Sequence, residues 1–254
     1  MRSIKSIATN MVGEALNRLI FQVILIFGVV FMVAGFFFTY LDPGEEGKML
    51  KDLGLTTLTI FGMLMAIFMA VSTITPEVER RTIYCLIAKP VKRHYFFLGK
   101  FLGSVVILGI ACLVMGLVLV LALYVKEQVW SLELLSAVGL TFVSLSIMSA
   151  LVMTLSTVAS PMLAVVGGFV FWALGYAQGF MHQLAAHADN PTSRGILESL
   201  GSLAPNLQVF DIRAAMVDQV YIPPSYYSWL GIYAVMYLVV VLVIGIIAFN
   251  QKQL

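Results

Sequence analysis

An all-α integral membrane protein, one domain with six transmembrane helices, is the fold class this sequence predicts, and three observations predict it. Of the 254 residues, 61% are hydrophobic and 11% charged, with a mean hydropathy of +0.99, a composition that excludes a water-soluble globular enzyme. Six apolar runs, 19–40, 53–75, 101–125, 134–158, 162–181 and 229–249, contain no Asp, Glu, Lys or Arg. Each supplies the roughly 20 residues that a helix needs to cross a hydrocarbon core of about 30 Å. The segments between them are too short to fold as soluble domains, so residues 1–254 read as a single transmembrane unit.

The elements follow in chain order. In 1–18, Ile4, Ile7, Met11, Ala15 and Leu19 recur at three- and four-residue steps, with Arg2, Lys5, Asn10, Glu14 and Asn17 between them. That pattern predicts an amphipathic helix lying in the membrane interface, with a plain cytoplasmic continuation of the first span as the alternative. The first apolar run is longer than the core of a secretory signal. It ends in Phe36, Phe37, Phe38 and Tyr40, without the small residues of a cleavage site, so it is expected to stay as a span. The fifth run, rich in glycine, is the one open to a kink or to a re-entrant path. The segment 182–228 carries two apolar patterns: Ile196, Leu197, Leu200 and Leu203, then Leu207, Phe210, Ala214 and Val217, with Pro205 between. Leu207, Phe210 and Asp211 are candidates for an external gate, and interfacial helices capping the bundle are the alternative.

Charge sets the expected orientation. With a cytoplasmic N-terminus, ten Lys and Arg fall in inner segments, six of them between residues 80 and 100, against five (Lys48, Lys51, Lys126, Arg194, Arg213) in outer ones. The excess on one side predicts both termini in the cytoplasm and a multi-pass protein of the cell inner membrane. Tyr40, Tyr124, Trp130, Tyr226, Tyr227 and Trp229 near the outer boundary fit an interfacial aromatic belt.

The loop between the second and third runs, 76–98, holds the most structured pattern. Glu77 and Glu79 lead, Thr82 can cap a short helix, Ile83, Leu86 and Ile87 form an apolar face, and Pro90 stops it. An amphipathic helix outside the spans needs a partner for that face, either lipid headgroups or a groove on another protein.

The run from Glu79 to Val91, followed by Arg93 and by Leu98-Gly99-Lys100-Phe101, resembles the coupling segment of ABC transporter permeases of the type-2 exporter class. The pattern departs at Arg81, where a glycine is usual in that class. Leu203 to Asp211 is similar to a segment found in part of the same class, including permeases of copper-enzyme maturation systems. The resemblance implies a non-catalytic permease that forms a dimer with a second copy and binds separate ABC ATPase subunits on its cytoplasmic side. It also implies that Glu79, Arg80, Thr82, Ile83, Leu86 and Ile87 make the ATPase contact. ATP would then be bound by the partner, and no cofactor by this chain. In keeping with that, the one Gly-Lys pair, Gly99-Lys100, is followed by Phe101 rather than by the Ser or Thr of a phosphate-cradling loop.

Two function classes follow: an ATP-driven exporter, and a mechanotransmitter in which the same motion works a periplasmic or extracellular partner without passing a substrate. The charge-free spans favour an apolar or lipid-like cargo for the exporter and disfavour a proton-coupled carrier, whose relay would place ionisable groups there. No nucleic-acid partner is indicated by a net charge of +2, no catalytic residue is proposed, and Cys85 and Cys112 lack metal-ligand spacing. His182 and His187, near Asp189, read as loop histidines rather than as a metal site.

Overall fold

A computed structural model of the chain describes residues 8–14, 18–38, 46–79, 93–128, 133–187, 194–195, 201, 204–218 and 220–251. The described residues form helices and connecting turns, without a strand. In order these are α1 (Ala8–Glu14), α2 (Leu19–Phe38), α3 (Glu46–Glu79), α4 (Arg93–Glu127), α5 (Leu134–Val158), α6 (Pro161–Tyr176), α7 (Gln178–Ala186), a 3-10 turn (Gln208–Phe210), α8 (Arg213–Val217) and α9 (Pro224–Gln251). Four of them, α3, α4, α5 and α9, are long and apolar enough to cross a membrane singly. Two bent pairs, α1 with α2 and α6 with α7, bring the number of possible crossings to six.

The helix α5 coincides with its apolar run, and the others depart from theirs for identifiable reasons. The helix α3 begins at Glu46, seven residues before the run it contains, because its charged first turns find partners on α4. Lys126 pairs with Glu46, and Lys51 lies 3.6 Å from Glu127. The same helix continues past the end of the apolar run, through Pro76 to Glu79. Proline has no N–H to give the carbonyl of Ser72, four residues back. The Arg18 guanidinium takes that carbonyl instead, at 3.2 Å. The helix α4 likewise starts at Arg93 and absorbs the end of the expected 76–98 loop. It closes at Gln128, whose left-handed backbone (φ 56°) lets its N–H reach the Tyr124 carbonyl.

The fifth run is broken, the outcome its glycines left open. It forms two helices bent by 58° at Ala177. The helix α6 has 16 residues, a length of about 24 Å that falls short of a hydrocarbon core of about 30 Å. It follows α5 after only Ala159 and Ser160, both extended, as the residue before Pro161 must be, with Pro161 opening the helix where its missing N–H costs nothing. The sixth run begins earlier than expected, at Pro224.

The bundle is organised around α5, which packs against α3, α4, α6 and α9 and is buried on most of its surface. Gly62 of α3 lets the two helices close: a Cβ there would sit 2.4 Å from Leu145 Cδ1. Serine and threonine hydroxyls on α5 mostly donate to their own helix. Thr141 bonds the Ala137 carbonyl, Ser144 that of Thr141, Ser146 that of Phe142 and Ser156 that of Val152. They therefore satisfy themselves rather than line a polar path. Other bonds cross between helices: Ser104 to Ser149 at 3.1 Å, Thr154 Oγ1 to the Val241 carbonyl at 3.3 Å, and the Tyr227 hydroxyl to Ser136 Oγ at 3.4 Å. The outer surface is apolar: α9 buries Leu230, Ala234, Val241, Gly245 and Phe249 and turns Ile232, Val235, Val239 and Ile247 outward, as a lipid-facing helix should.

Alternation of the helices puts the chain's landmarks at two ends. Arg18 against Ser72, and Phe249 against Phe96 and Phe97, place α1, the end of α3, the start of α4 and the end of α9 together. The start of α3, the end of α4 and the segment 204–218 lie at the other end.

The Ser104–Ser149 bond is expected to contribute modestly. A double-mutant cycle with Ser104→Ala and Ser149→Ala, read by reversible unfolding in bicelles, should give a coupling energy of about 0.6 kcal/mol. Coupling indistinguishable from zero would remove this bond from the account of helix packing.

Candidate functional site

The end of the bundle away from Glu79 is closed by the segment 204–218, held on three sides. Toward α6 and α7, the Leu207 N–H donates to the Gly175 carbonyl at 3.1 Å. The Gln178 side-chain amide donates to the carbonyls of Gly201 and Ala204 at 2.6 and 2.7 Å, and the Gly179 N–H donates to Gln208 Oε1 at 3.0 Å. Toward α9, the Asn206 N–H donates to the Tyr233 hydroxyl at 2.9 Å and the Tyr226 hydroxyl to the Val209 carbonyl at 2.7 Å. Toward α3, Arg213 donates to Thr56 Oγ1 while its Nε meets both oxygens of Asp211, at 2.7 and 2.9 Å. Leu207, Phe210 and Ile212 are the apolar underside, all buried, and the Phe210 ring rests 5.9 Å from that of Tyr233.

The local sequence makes this geometry. Pro205 and the 3-10 turn at Gln208–Phe210 reverse the chain, and the glycine at the end of α6 lets it approach. A Cβ on Gly175 would lie 2.8 Å from both Leu207 Cδ1 and the Pro205 carbonyl oxygen. Gly175 and Gly179 thus pack against the chain's own 204–218 segment, and Gly103 packs against Met11. Hydrogen bonds donated to the Asp211 carboxylate hold the Arg213 guanidinium above its ordinary pKa, against the opposing effect of partial burial. Asn206 Oδ1 is buried with no hydrogen-bond partner among the described residues.

Beside the segment lies an open cavity of about 820 Å³ with Lys48, Met49 and Asp52 of α3 on one wall and Asp211, Arg213 and Asp218 on the other. Both signs of charge meet there, whereas the middles of the spanning helices carry none.

Of the residues singled out from sequence, Leu207, Phe210 and Asp211 come together in this closure. Glu79 is the last residue of α3, at the opposite end. Arg80, Thr82, Ile83, Leu86 and Ile87 lie outside the described residues, as do Ile196, Leu197, Leu200 and Leu203. Sequence reasoning missed Thr56 and Arg213. No local signal marks a contact across 157 positions, although a cation two residues after Asp211 was visible. Among the described residues no cluster of three His, Cys, Asp or Glu side chains is placed to hold a metal ion.

The family model described as ABC-2 family transporter protein matches residues 10–254. The chain belongs to the ABC-2 transporter family. It is an ABC transporter permease and a multi-pass membrane protein, and the family implies an ABC ATPase as its partner. No curated protein matches the chain. Within an ABC-2 permease, the two ends of the bundle acquire different meanings: one carries the segment between the second and third spans, and the other carries the closure.

Replacing Gly175 by alanine should destabilise the protein by about 1–3 kcal/mol, since the new Cβ presses on a backbone carbonyl that cannot rotate away. Gly139→Ala on α5, where a Cβ meets nothing within 4 Å, is the control and should be neutral or stabilising. Thermal unfolding of both in the same detergent checks the difference.

Proposed function

We propose that this permease exports an amphiphilic, apolar or lipid-like substrate from the cytoplasmic side, driven by ATP hydrolysed on a separate subunit, and that two copies of the chain make the working transporter. The observation that carries the reading is the separation of chemistry along the bundle. Charge is gathered at the two ends, the spanning middles have none, and most of the Ser and Thr hydroxyls of α5 are turned back onto their own helix. A cargo with a buried charge would find no counter-charge on its way. An amphiphile needs none for its tail, and its head can meet the mixed charges of the cavity at the closed end.

In this reading the Glu79 end faces the cytoplasm, with both chain termini, and Glu79, Arg80, Thr82, Ile83, Leu86 and Ile87 receive the ATPase. The helix α3 leaves that contact and runs for 34 residues, about 51 Å at the usual rise, to the closure of Leu207, Phe210 and Asp211, which acts as the external gate. Hydrolysis belongs to the partner, and this chain supplies no catalytic group. A packed helix transmits displacement along its length because its neighbours do not deform continuously.

Leu86→Asp would put a charge into a face that docking desolvates, at a cost on the order of a few kcal/mol. The chain should still insert, and tagged permease should lose most of its co-purifying ATPase, while the control Lys252→Ala retains it. Unchanged ATPase retention in Leu86→Asp, together with unchanged coupled activity, would defeat the assignment. Orientation is checked separately: Asn190→Cys, in a background without Cys85 and Cys112, should react with an impermeant thiol reagent from outside the cell and not from the cytoplasm.

A further inference from the structure

We propose that Asp211, Arg213 and Thr56 form a latch that keeps the 204–218 segment shut over the bundle, and that the latch is released by displacement of α3. The proposal deepens the transport reading and rests on it for the meaning of opening. Its geometry stands on the chain itself.

The contacts of 204–218 divide into two kinds. Those toward α6, α7 and α9 are neutral hydrogen bonds, and several run to backbone groups of elements next to the segment in sequence. The contact toward α3 is different. It is charge-assisted, it joins positions 157 apart, and it ends on the helix that leads directly to the segment between the second and third spans. Asp211 occupies the Nε side of the Arg213 guanidinium in a paired arrangement, which fixes the plane of the fork and leaves Nη1 pointed at Thr56 Oγ1. Asp211 is therefore a positioning residue: it aims Arg213, and Arg213 holds α3.

Thr56 stands ten positions from the start of α3 and 23 from Glu79, the latter about 35 Å at 1.5 Å per residue. A hydrogen bond weakens steeply once its geometry is lost. A slide or rotation of α3 by an ångström or two, entering at the Glu79 end, is enough to separate Thr56 from Arg213. The remaining holds are neutral, and Asn206 Oδ1, buried without a partner among the described residues, regains water when the segment lifts. The bond to Thr56 is thus the one hold that a movement of α3 acts on directly, and the buried Leu207, Phe210 and Ile212 with the neutral bonds set what opening still costs once it parts.

Hydrogen exchange on the full chain in nanodiscs, without the ATPase, tests the latch. The reporters are the amides of Leu207, Phe210, Asp211 and Met216, each hydrogen-bonded in the closed segment. Thr56→Val keeps the side chain's shape and removes the acceptor, and Arg213→Gln removes the charge. In both, exchange at the four amides should quicken by about tenfold or more, while α5 amides keep their wild-type rate, and Thr56→Ser should restore slow exchange. Wild-type exchange in Thr56→Val, or an equal acceleration along α5, would overturn the latch. Thr56→Val lies in a helix and is tolerated sterically, so the test stands even if Arg213→Gln fails to fold. Failure here would leave ATPase retention by the wild-type chain untouched, so it is separable from failure of the transport reading.

Discussion

The seam between α3 and α5 is the interaction on which the rest of the structure depends. In a bilayer, water does not drive helices together, and close van der Waals packing must do it. Gly62 removes a side chain where Leu145 arrives, and Ala66, Ile67, Ala70, Ser149, Ala150 and Val152 are buried in the same core. Packing of α3 against α5 sets where its two ends lie. The start carries Lys48, Lys51, Asp52 and Thr56 to the closed end, and the finish carries Glu79 to the other. Every functional feature described for this chain is attached to one of those points.

Membrane helices were legible because nothing else accounts for uninterrupted apolar runs of this length, and α5 matches its run residue for residue. The ends of the other helices were not legible. Glu46 and Lys51 look like loop residues in the sequence, and become helical because Lys126 and Glu127 stand across from them at the end of α4. Pro76 looks like a stop, and is carried inside α3 because Arg18 takes the carbonyl that it leaves free. In each case the deciding partner is more than 50 positions away, beyond what any local pattern encodes.

The candidate site divides in the same manner. Leu207 and Phe210 stood out as members of an apolar pattern outside the long runs, and they are the buried underside of the closure. The break between α6 and α7 was foreshadowed by the glycines of the fifth run, because the approach of Leu207 and Pro205 to Gly175 is possible only without a Cβ. Thr56 gave no sign at all: a threonine in an apolar run reads as a self-satisfied hydroxyl, as Thr57 and Thr59 beside it are. Only the fold brings Arg213 to it. The Arg213–Thr56 bond joins residues that no local pattern connects.

The central claim is that α3 links the two ends, so that a stroke received beyond Glu79 opens the closure. It is tested most directly by pulsed electron paramagnetic resonance on the permease with its ATPase in nanodiscs. One nitroxide would be placed at Asp218, in the closure, and one at Leu135, on the exposed side of α5, in a background without Cys85 and Cys112. The account predicts one short, narrow distance distribution without nucleotide and a second, longer population when a hydrolysis-deficient ATPase is held closed by ATP, with the longer population already present in Thr56→Val. An unchanged distribution on ATP closure, in a complex whose ATPase remains bound to the permease, would contradict it.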